Sequence, residues 1–164
     1  MGLFDNIDQN IDINAINSQI QAAQQNGGRQ QFEKTPAGTY HTMLRTLELG
    51  QSRDGRPMVK GSFRILDGQF KGKCFFYNRV IYGTRNDALM INSALTLLRS
   101  LCAYDATGYV PVQFAGYGDM MARITYIKQC IDIADLKYTV DYDDSRFENV
   151  IIKQVHYPQQ QTQQ

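Results

Sequence analysis

The residues best suited to do chemistry in this sequence are basic and aromatic side chains that alternate between Lys73 and Tyr82. In an extended strand every second residue lies on the same face. One face of this segment would therefore carry two cations and two rings, namely Lys73, Phe75, Tyr77 and Arg79. Cations pair with phosphates and flat rings stack on unpaired bases of any identity, so this combination suits single-stranded nucleic acid.

A neighbouring segment adds positive charge to this set. From Met58 to Leu66 the residues alternate, and Lys60 and Arg64 fall on the polar side of the predicted strand. Two further cations lie in the same basic region and complete the candidate set. The predicted nucleic-acid contacts are therefore Lys60, Arg64, Lys73, Phe75, Tyr77, Arg79, Arg45 and Lys71.

The same residues also have a purely structural interpretation. Phe75 and Tyr77 could pack in a hydrophobic core, with the cations forming a solvated rim. On the opposite face of the strand, Cys74, Phe76 and Val80 are also apolar enough for a core. The sequence therefore leaves open which aromatic face would meet a ligand.

The distribution of charge favours an anionic partner. The whole chain has a formal net charge of only +1, but residues 32–101 hold eleven basic and five acidic side chains and so carry +6. Residues 1–31 and 102–164 are both net acidic. Such asymmetry predicts that the first half of the fold holds a negatively charged partner.

No catalytic, cofactor or metal site is predicted. The stretch from Gly68 to Lys73 is one residue shorter than a phosphate-binding loop and leads into a strand rather than a helix. The histidines have no sequence-local partner in ligand spacing, and the acids from Asp141 to Asp144 fit a solvated turn better than a cation site. We expect neither an enzyme nor a bound cofactor.

The cysteines and the hydropathy indicate the compartment. Cys74, Cys102 and Cys130 are an odd set without a C-x-x-C pair, which favours reduced thiols over a disulfide framework. No apolar run approaches the roughly 18–20 residues of a membrane helix, and the N-terminus does not resemble a secretory signal. We therefore expect a cytoplasmic protein without a membrane partner.

The predicted elements place the candidate residues on a β-rich domain. They are strands over 38–49, 58–66 and 73–82, helices over 87–103 and 119–132, and strands over 136–142 and 149–157. Asp54-Gly55 favours a hairpin turn, and Asn86 is predicted to cap the first helix of the domain. This order predicts a mainly β fold with helices, an OB-fold-like five-stranded barrel with a helix between strands three and four.

The two ends of the chain differ from this domain. Residues 1–31 form an Asn/Gln-rich arm in which Ile7, Ile11, Ile16 and Ile20 favour a short amphipathic helix, followed by a flexible linker over 24–31. Residues 158–164 form a polar, Gln-rich tail that is predicted to be disordered. The barrel domain is therefore predicted over 32–157.

Three stretches in register carry a family resemblance: Pro36–Tyr40, Ser52–Met58 and Phe63–Lys73. In this order they resemble a family of small phage single-stranded DNA-binding proteins encoded among replication and recombination genes. The resemblance implies an OB-like barrel that binds single strands without sequence preference and protects or organises them. The resemblance implies no catalytic residue. Phage or host replication and recombination proteins, and further copies of this chain, stay open as additional partners.

A second hypothesis is a structural or assembly protein, in which the arm and the tail contact neighbouring subunits. Salt dependence separates the two hypotheses, because contacts with phosphates release counterions and contacts between subunits need not.

Overall fold

A short helix begins at a side-chain cap near the start of the chain. The computed structural model describes residues 12–25 and 35–158, and the chain divides into two units at residues 34 and 35. In the first unit, the Asp12 carboxylate accepts a hydrogen bond from the Ala15 amide (3.0 Å) at the start of α1, Ile13–Gln25. This confirms a helix in the predicted arm, but the helix continues through Gln24 and Gln25, where the linker was predicted to begin. Ile7, Ile11, residues 26–31 of the predicted linker and residues 159–164 of the tail lie outside the described residues.

The second unit is built around one antiparallel sheet of five strands, in the spatial order β3-β2-β1-β6-β7. A two-stranded hairpin and two helices lie between β3 and β6 in the chain. The bounds are β1 Gly38–Gln51, β2 Pro57–Ile65, β3 Cys74–Val80, α2 Asp87–Ser100, β4 Tyr104–Asp105, β5 Gly108–Tyr109, α3 Tyr117–Ala134, β6 Lys137–Tyr142 and β7 Val150–His156. The mainly β class and the three consecutive antiparallel strands within 38–82 are confirmed.

Two turns set the register of the first three strands. Between β1 and β2, Gly55 takes a φ of +86°, a value that favours glycine, and the Ser52 amide donates to the Arg56 carbonyl (2.7 Å). Between β2 and β3, the Gly72 amide donates to the Ile65 carbonyl and the Ile65 amide donates to that of Lys73, both at 2.8 Å. Both predicted turns are confirmed, and the second one decides which residues of β2 and β3 share a face.

The helices follow the predicted pattern. The side chain of Asn86 caps α2 by accepting a hydrogen bond from the Leu89 amide (3.1 Å), as its position predicted. The apolar stripe of α2 and residues Ile124 and Ile127 of α3 are buried with the inner face of the sheet. The core therefore lies between the helices and one sheet face, and the other face is left to carry exposed side chains.

The predicted five-stranded barrel is not closed in the structure. In the described residues, β3 and β7 are the two edges of the sheet and form no backbone ladder with each other. Side chains occupy this seam instead: the Arg79 guanidinium donates to the Phe147 carbonyl (2.7 Å), and Asn149 Nδ2 donates to the Phe76 carbonyl (3.2 Å). The loop between β6 and β7 therefore contacts β3 through side chains, which takes the place of strand pairing.

Candidate nucleic-acid interface

The pairing of β2 with β3 separates the predicted contact residues onto two faces of the sheet. On the inner face, Phe75 lies opposite Phe63, and Tyr77 opposite Gly61. On the outer face, Phe76 lies opposite Ser62. The rings of Phe75 and Tyr77 therefore do not share a face with Lys60 and Arg64, and the prediction that they do is wrong.

Phe75 and Tyr77 belong to the core. Both are 1% exposed, and the Phe75 ring stacks on Tyr142 and Phe63 with centroid distances of 4.4 and 5.5 Å. Burial raises the pKa of the Tyr77 hydroxyl, which accepts a hydrogen bond from Arg79 Nε (3.3 Å). Protein atoms cover both faces of each ring, so neither Phe75 nor Tyr77 is open to a base.

Arg79, predicted as a phosphate contact, is also buried. Its guanidinium lies 3.1 Å from the Glu148 carboxylate and 4.0 Å from the centroid of the Phe147 ring. The same carboxylate accepts a hydrogen bond from Ser93 Oγ (2.5 Å). These contacts hold the β6–β7 loop against β3 and α2. Arg79 is therefore committed to the fold, and its predicted role as a phosphate contact is wrong.

The outer face of β2 and β3 presents a different ring between two predicted cations. Phe76, in the middle of β3, is 57% exposed, and its diagonal neighbours on β2 are Lys60 and Arg64. Such diagonal pairs lie within reach of long and aromatic side chains. Asn78, also exposed, lies opposite Lys60. We call these four residues the basic face.

The two cations of the basic face are available to a ligand. Among residues 12–25 and 35–158, neither Lys60 nor Arg64 forms an ion pair with an acidic side chain. Glu48 lies opposite Lys60 on the β1 side but makes no such contact. An anion placed over this face would therefore meet two positive charges that no described acidic side chain neutralises by an ion pair.

The remaining predicted cations, Arg45, Lys71 and Lys73, lie outside the basic face. Arg45 is exposed at the bulge of β1, next to Thr46, whose hydroxyl lies 2.7 Å from that of Ser62 on the outer face. Lys71 is exposed in the β2–β3 turn, and Lys73 lies over the Phe70 ring (5.6 Å to the centroid). Arg45 and Lys71 therefore add exposed positive charge outside the basic face, whereas Lys73 precedes β3 in phase with the inner-face residue Phe75.

Phe76 was missed as a contact because its neighbours in the sequence are equally apolar. The signal that could have identified it is the register of the β2–β3 turn. Once Arg64 is paired with Cys74, even-numbered residues of β3 must share a face with Lys60 and Arg64. The sequence of the turn does not by itself predict that Arg64 pairs with Cys74.

Other candidate sites have local partners. Asp141 contacts Arg146 (3.3 Å), and Asp143 accepts hydrogen bonds from the amide and hydroxyl of Ser145, which lower the pKa of the Asp143 carboxyl. Within the part of the chain that the structure describes, no three His, Cys, Asp or Glu side chains converge as metal ligands. No helix of that part is both long and apolar enough to cross a bilayer.

Comparison with known proteins assigns a family. No curated protein and no solved structure matches the chain. One family profile, described as "Protein of unknown function (DUF669)", matches residues 16–156, a range that contains the whole sheet and the basic face. The chain therefore belongs to the DUF669 family.

Proposed function

We propose that the protein binds single-stranded DNA without sequence preference and protects or organises it during phage DNA replication or recombination. The observation that carries this proposal is the basic face, where the exposed Phe76 ring lies between two cations that have no acidic partner among the described residues. A ring for bases beside charges for phosphates is the arrangement that sequence-tolerant binding of single strands requires.

An OB-like architecture is part of the proposal. In OB-folds, oligonucleotides lie on the face of strands two and three, and the barrel is five-stranded and partly open. Here the second and third strands carry the basic face, and the contacts of Arg79 and Asn149 hold the loop that precedes β7 against β3. These features support a five-stranded barrel in which side-chain contacts, rather than backbone hydrogen bonds between β3 and β7, close the gap between the two edge strands.

The cytoplasmic location predicted from the sequence is kept in the proposal. Cys74, Cys102 and Cys130 are all unpaired in the structure. Free thiols suit a reducing compartment such as the cytoplasm of a host cell.

Removing both cations of the basic face should weaken DNA binding and change its salt dependence. We expect the double substitution Lys60→Ala/Arg64→Ala to lower affinity for all oligonucleotides alike and to flatten the slope of log K against log salt by about 1.4, or about 0.7 for each lost phosphate contact. The measurement is a titration of a fluorescent single-stranded oligonucleotide at several salt concentrations.

A matched control removes the same charge elsewhere. Arg123→Ala/Lys128→Ala also takes away two positive charges, but both are on α3 and are paired with Asp119 and Asp132. We expect it to leave the slope nearly unchanged. If Lys60→Ala/Arg64→Ala and the wild type had equal slopes of log K against log salt, the DNA would bind another surface of the protein. Salt-independent self-association without DNA binding would favour the assembly hypothesis.

Removing the exposed ring should weaken binding without affecting the fold. Phe76→Ala is expected to cost about 1–3 kcal/mol of affinity for single strands, the value of one base–aromatic stack, with the salt slope unchanged. The free energy of unfolding should change by no more than about 0.5 kcal/mol, since the side chain is largely exposed. Phe76→Tyr keeps a ring and should bind as the wild type does; equal affinity of Phe76→Ala and Phe76→Tyr would exclude stacking.

A further inference from the structure

The two histidines of the sequence meet on the outer face of the sheet, and the proposed function does not use them. His41 lies on β1 and His156 at the end of β7, with β6 between them. Strands two positions apart are separated by about 9.5 Å, yet the two ring centroids are only 5.2 Å apart, edge to face. The rings therefore lean toward each other over β6, where His156 Nε2 lies 2.6 Å from Thr139 Oγ1. We call His41 and His156 the histidine pair.

The strand register places the histidine pair on the same side of the sheet as Arg64. Arg64 lies opposite Met43 on β1. Met43 in turn lies opposite Lys137 on β6, and Lys137 lies opposite His156 on β7. Residues directly opposite each other in a ladder share a face, and so do residues two apart in one strand. His41, two positions before Met43, is therefore a diagonal neighbour of Arg64, and the histidine pair begins directly beside the basic face.

Mild acid makes the surroundings of the histidine pair more positive. Four cations and three carboxylates face or border the pair, namely Arg64, Lys137, Arg146, Lys153, Asp67, Asp135 and Asp141. With both rings neutral this group carries +1, and with both rings protonated it carries +3. Histidine is the side chain whose charge ordinarily changes between pH 5 and 8. Lowering the pH through that range therefore improves this part of the outer face as a site for an anion.

The contact with Asp67 makes His41 a donor whose second hydrogen bond depends on protonation. His41 Nδ1 lies 3.1 Å from the Asp67 carboxylate, and an ionised carboxylate only accepts, so Nδ1 carries the proton of this bond. The other nitrogen, Nε2, forms no hydrogen bond with a described residue. It is a bare acceptor in the neutral ring and a donor in the protonated ring. A phosphate oxygen also accepts, so it is repelled by the neutral ring and bound by the protonated one.

We infer that the histidine pair binds a phosphate of the single strand that lies on the basic face, and that this contact takes up a proton from the solvent. The inference rests on the proposed function and extends it by one contact and a pH dependence. Diagonal neighbours on adjacent strands lie about 7–8 Å apart, so a strand with one phosphate at Arg64 reaches His41 with the next. The contact is with phosphate rather than with a base, so it is independent of DNA sequence.

The wild-type protein provides the first test, because two histidines give only two sets of ring signals in a proton NMR spectrum. A pH titration is recorded with and without an oligothymidine that has no terminal phosphate. We expect the His41 signals to be those of the charged ring at a higher pH in the complex than in the free protein, since a bound phosphate stabilises the protonated ring. Ring signals that titrate identically with and without bound DNA would overturn the inference.

Affinity provides the second test. Binding of the same oligothymidine is measured at several salt concentrations, at about pH 5.5 and about pH 7.5, on either side of the usual histidine range. We expect the wild type to bind about tenfold tighter at the lower pH, the lower end of the effect of a hydrogen bond to a charged group. The slope of log K against log salt should steepen by about 0.7 for the added phosphate contact. His41→Gln/His156→Gln takes up no proton, so it should have the same affinity and the same slope at both pH values.

Lys60→Ala is the matched control, because it removes a cation of the basic face and leaves the histidine pair intact. It should bind more weakly than the wild type at both pH values and keep the tenfold gain in acid. If the wild type binds equally at both pH values, or if His41→Gln/His156→Gln keeps the gain, the inference is overturned and the proposed function stands. If the wild type binds no oligonucleotide at either pH, the proposed function fails and the inference fails with it.

Discussion

Replacing Phe75 by alanine is expected to lower the free energy of unfolding by about 3–5 kcal/mol, the range for removal of a buried phenylalanine side chain. The ring is 1% exposed and lies between the rings of Phe63 and Tyr142, while Tyr40 approaches it with a centroid distance of 5.9 Å. The four rings come from four strands, β1, β2, β3 and β6. The cavity left by alanine would therefore lie in the core, against the inner face of the sheet. Urea denaturation followed by circular dichroism measures the loss.

The adjacent residue gives the matched comparison. Phe76→Ala removes the same side chain from the same strand but on the outer face, so it should cost affinity rather than stability. If Phe76→Ala destabilised the protein and Phe75→Ala did not, β3 would lie with its opposite face toward the core. That result would contradict both the fold and the proposed interface.

Replacing Arg79 by methionine is expected to lower the free energy of unfolding by about 3 kcal/mol, toward the lower end of the range for breaking a buried ion pair. The Arg79 side chain is only 9% exposed, but that of Glu148 is 44% exposed, so water can solvate part of the carboxylate that is left behind. The substitution also removes the hydrogen bond to the Phe147 carbonyl. Urea denaturation again measures the change.

Two further variants identify the cause of this loss. Arg79→Lys keeps the positive charge but not the planar guanidinium group with its several N–H donors. It should therefore recover only part of the stability that Arg79→Met loses. Arg79→Met/Glu148→Gln should be more stable than the sum of the two single changes predicts, because it removes both charges of one pair. Additive losses would show that Arg79 stabilises the protein through contacts other than its pair with Glu148, such as packing and the hydrogen bond to the Phe147 carbonyl.

Much of the fold could be predicted because its signals are local. Alternation over 58–66, the Asp54-Gly55 turn and the Asn86 cap each depend on a few neighbouring residues, and each was confirmed. Closure of the barrel was not predicted correctly. It depends on whether β3 and β7 approach closely enough to pair, and here the β6–β7 loop contacts β3 through side chains instead.

The candidate site could be predicted only in part for a similar reason. The cations of β2 were placed on an outer face correctly, since alternation with Val59 and Phe63 indicates which side of that strand is buried. On β3 the run Phe75-Phe76-Tyr77 is aromatic on both faces, so alternation alone cannot choose between them. A groove between the β1–β2 hairpin and α3 joins residues from 49–57 with residues from 117–121, and no local pattern brings those segments together.

The position of β1 in the middle of the sheet has a consequence for how the chain folds. Its pairing with β2 is local, but on its other side Thr42 Oγ1 donates to the Tyr138 carbonyl, 96 positions further along the chain. Contacts between distant segments form late, because a long loop must close before they are made. During synthesis the β1–β2–β3 meander can therefore form while one edge of β1 is still bare, and an unpaired edge can pair with another chain. The newly made protein is most prone to aggregate in the interval before β6 has left the ribosome.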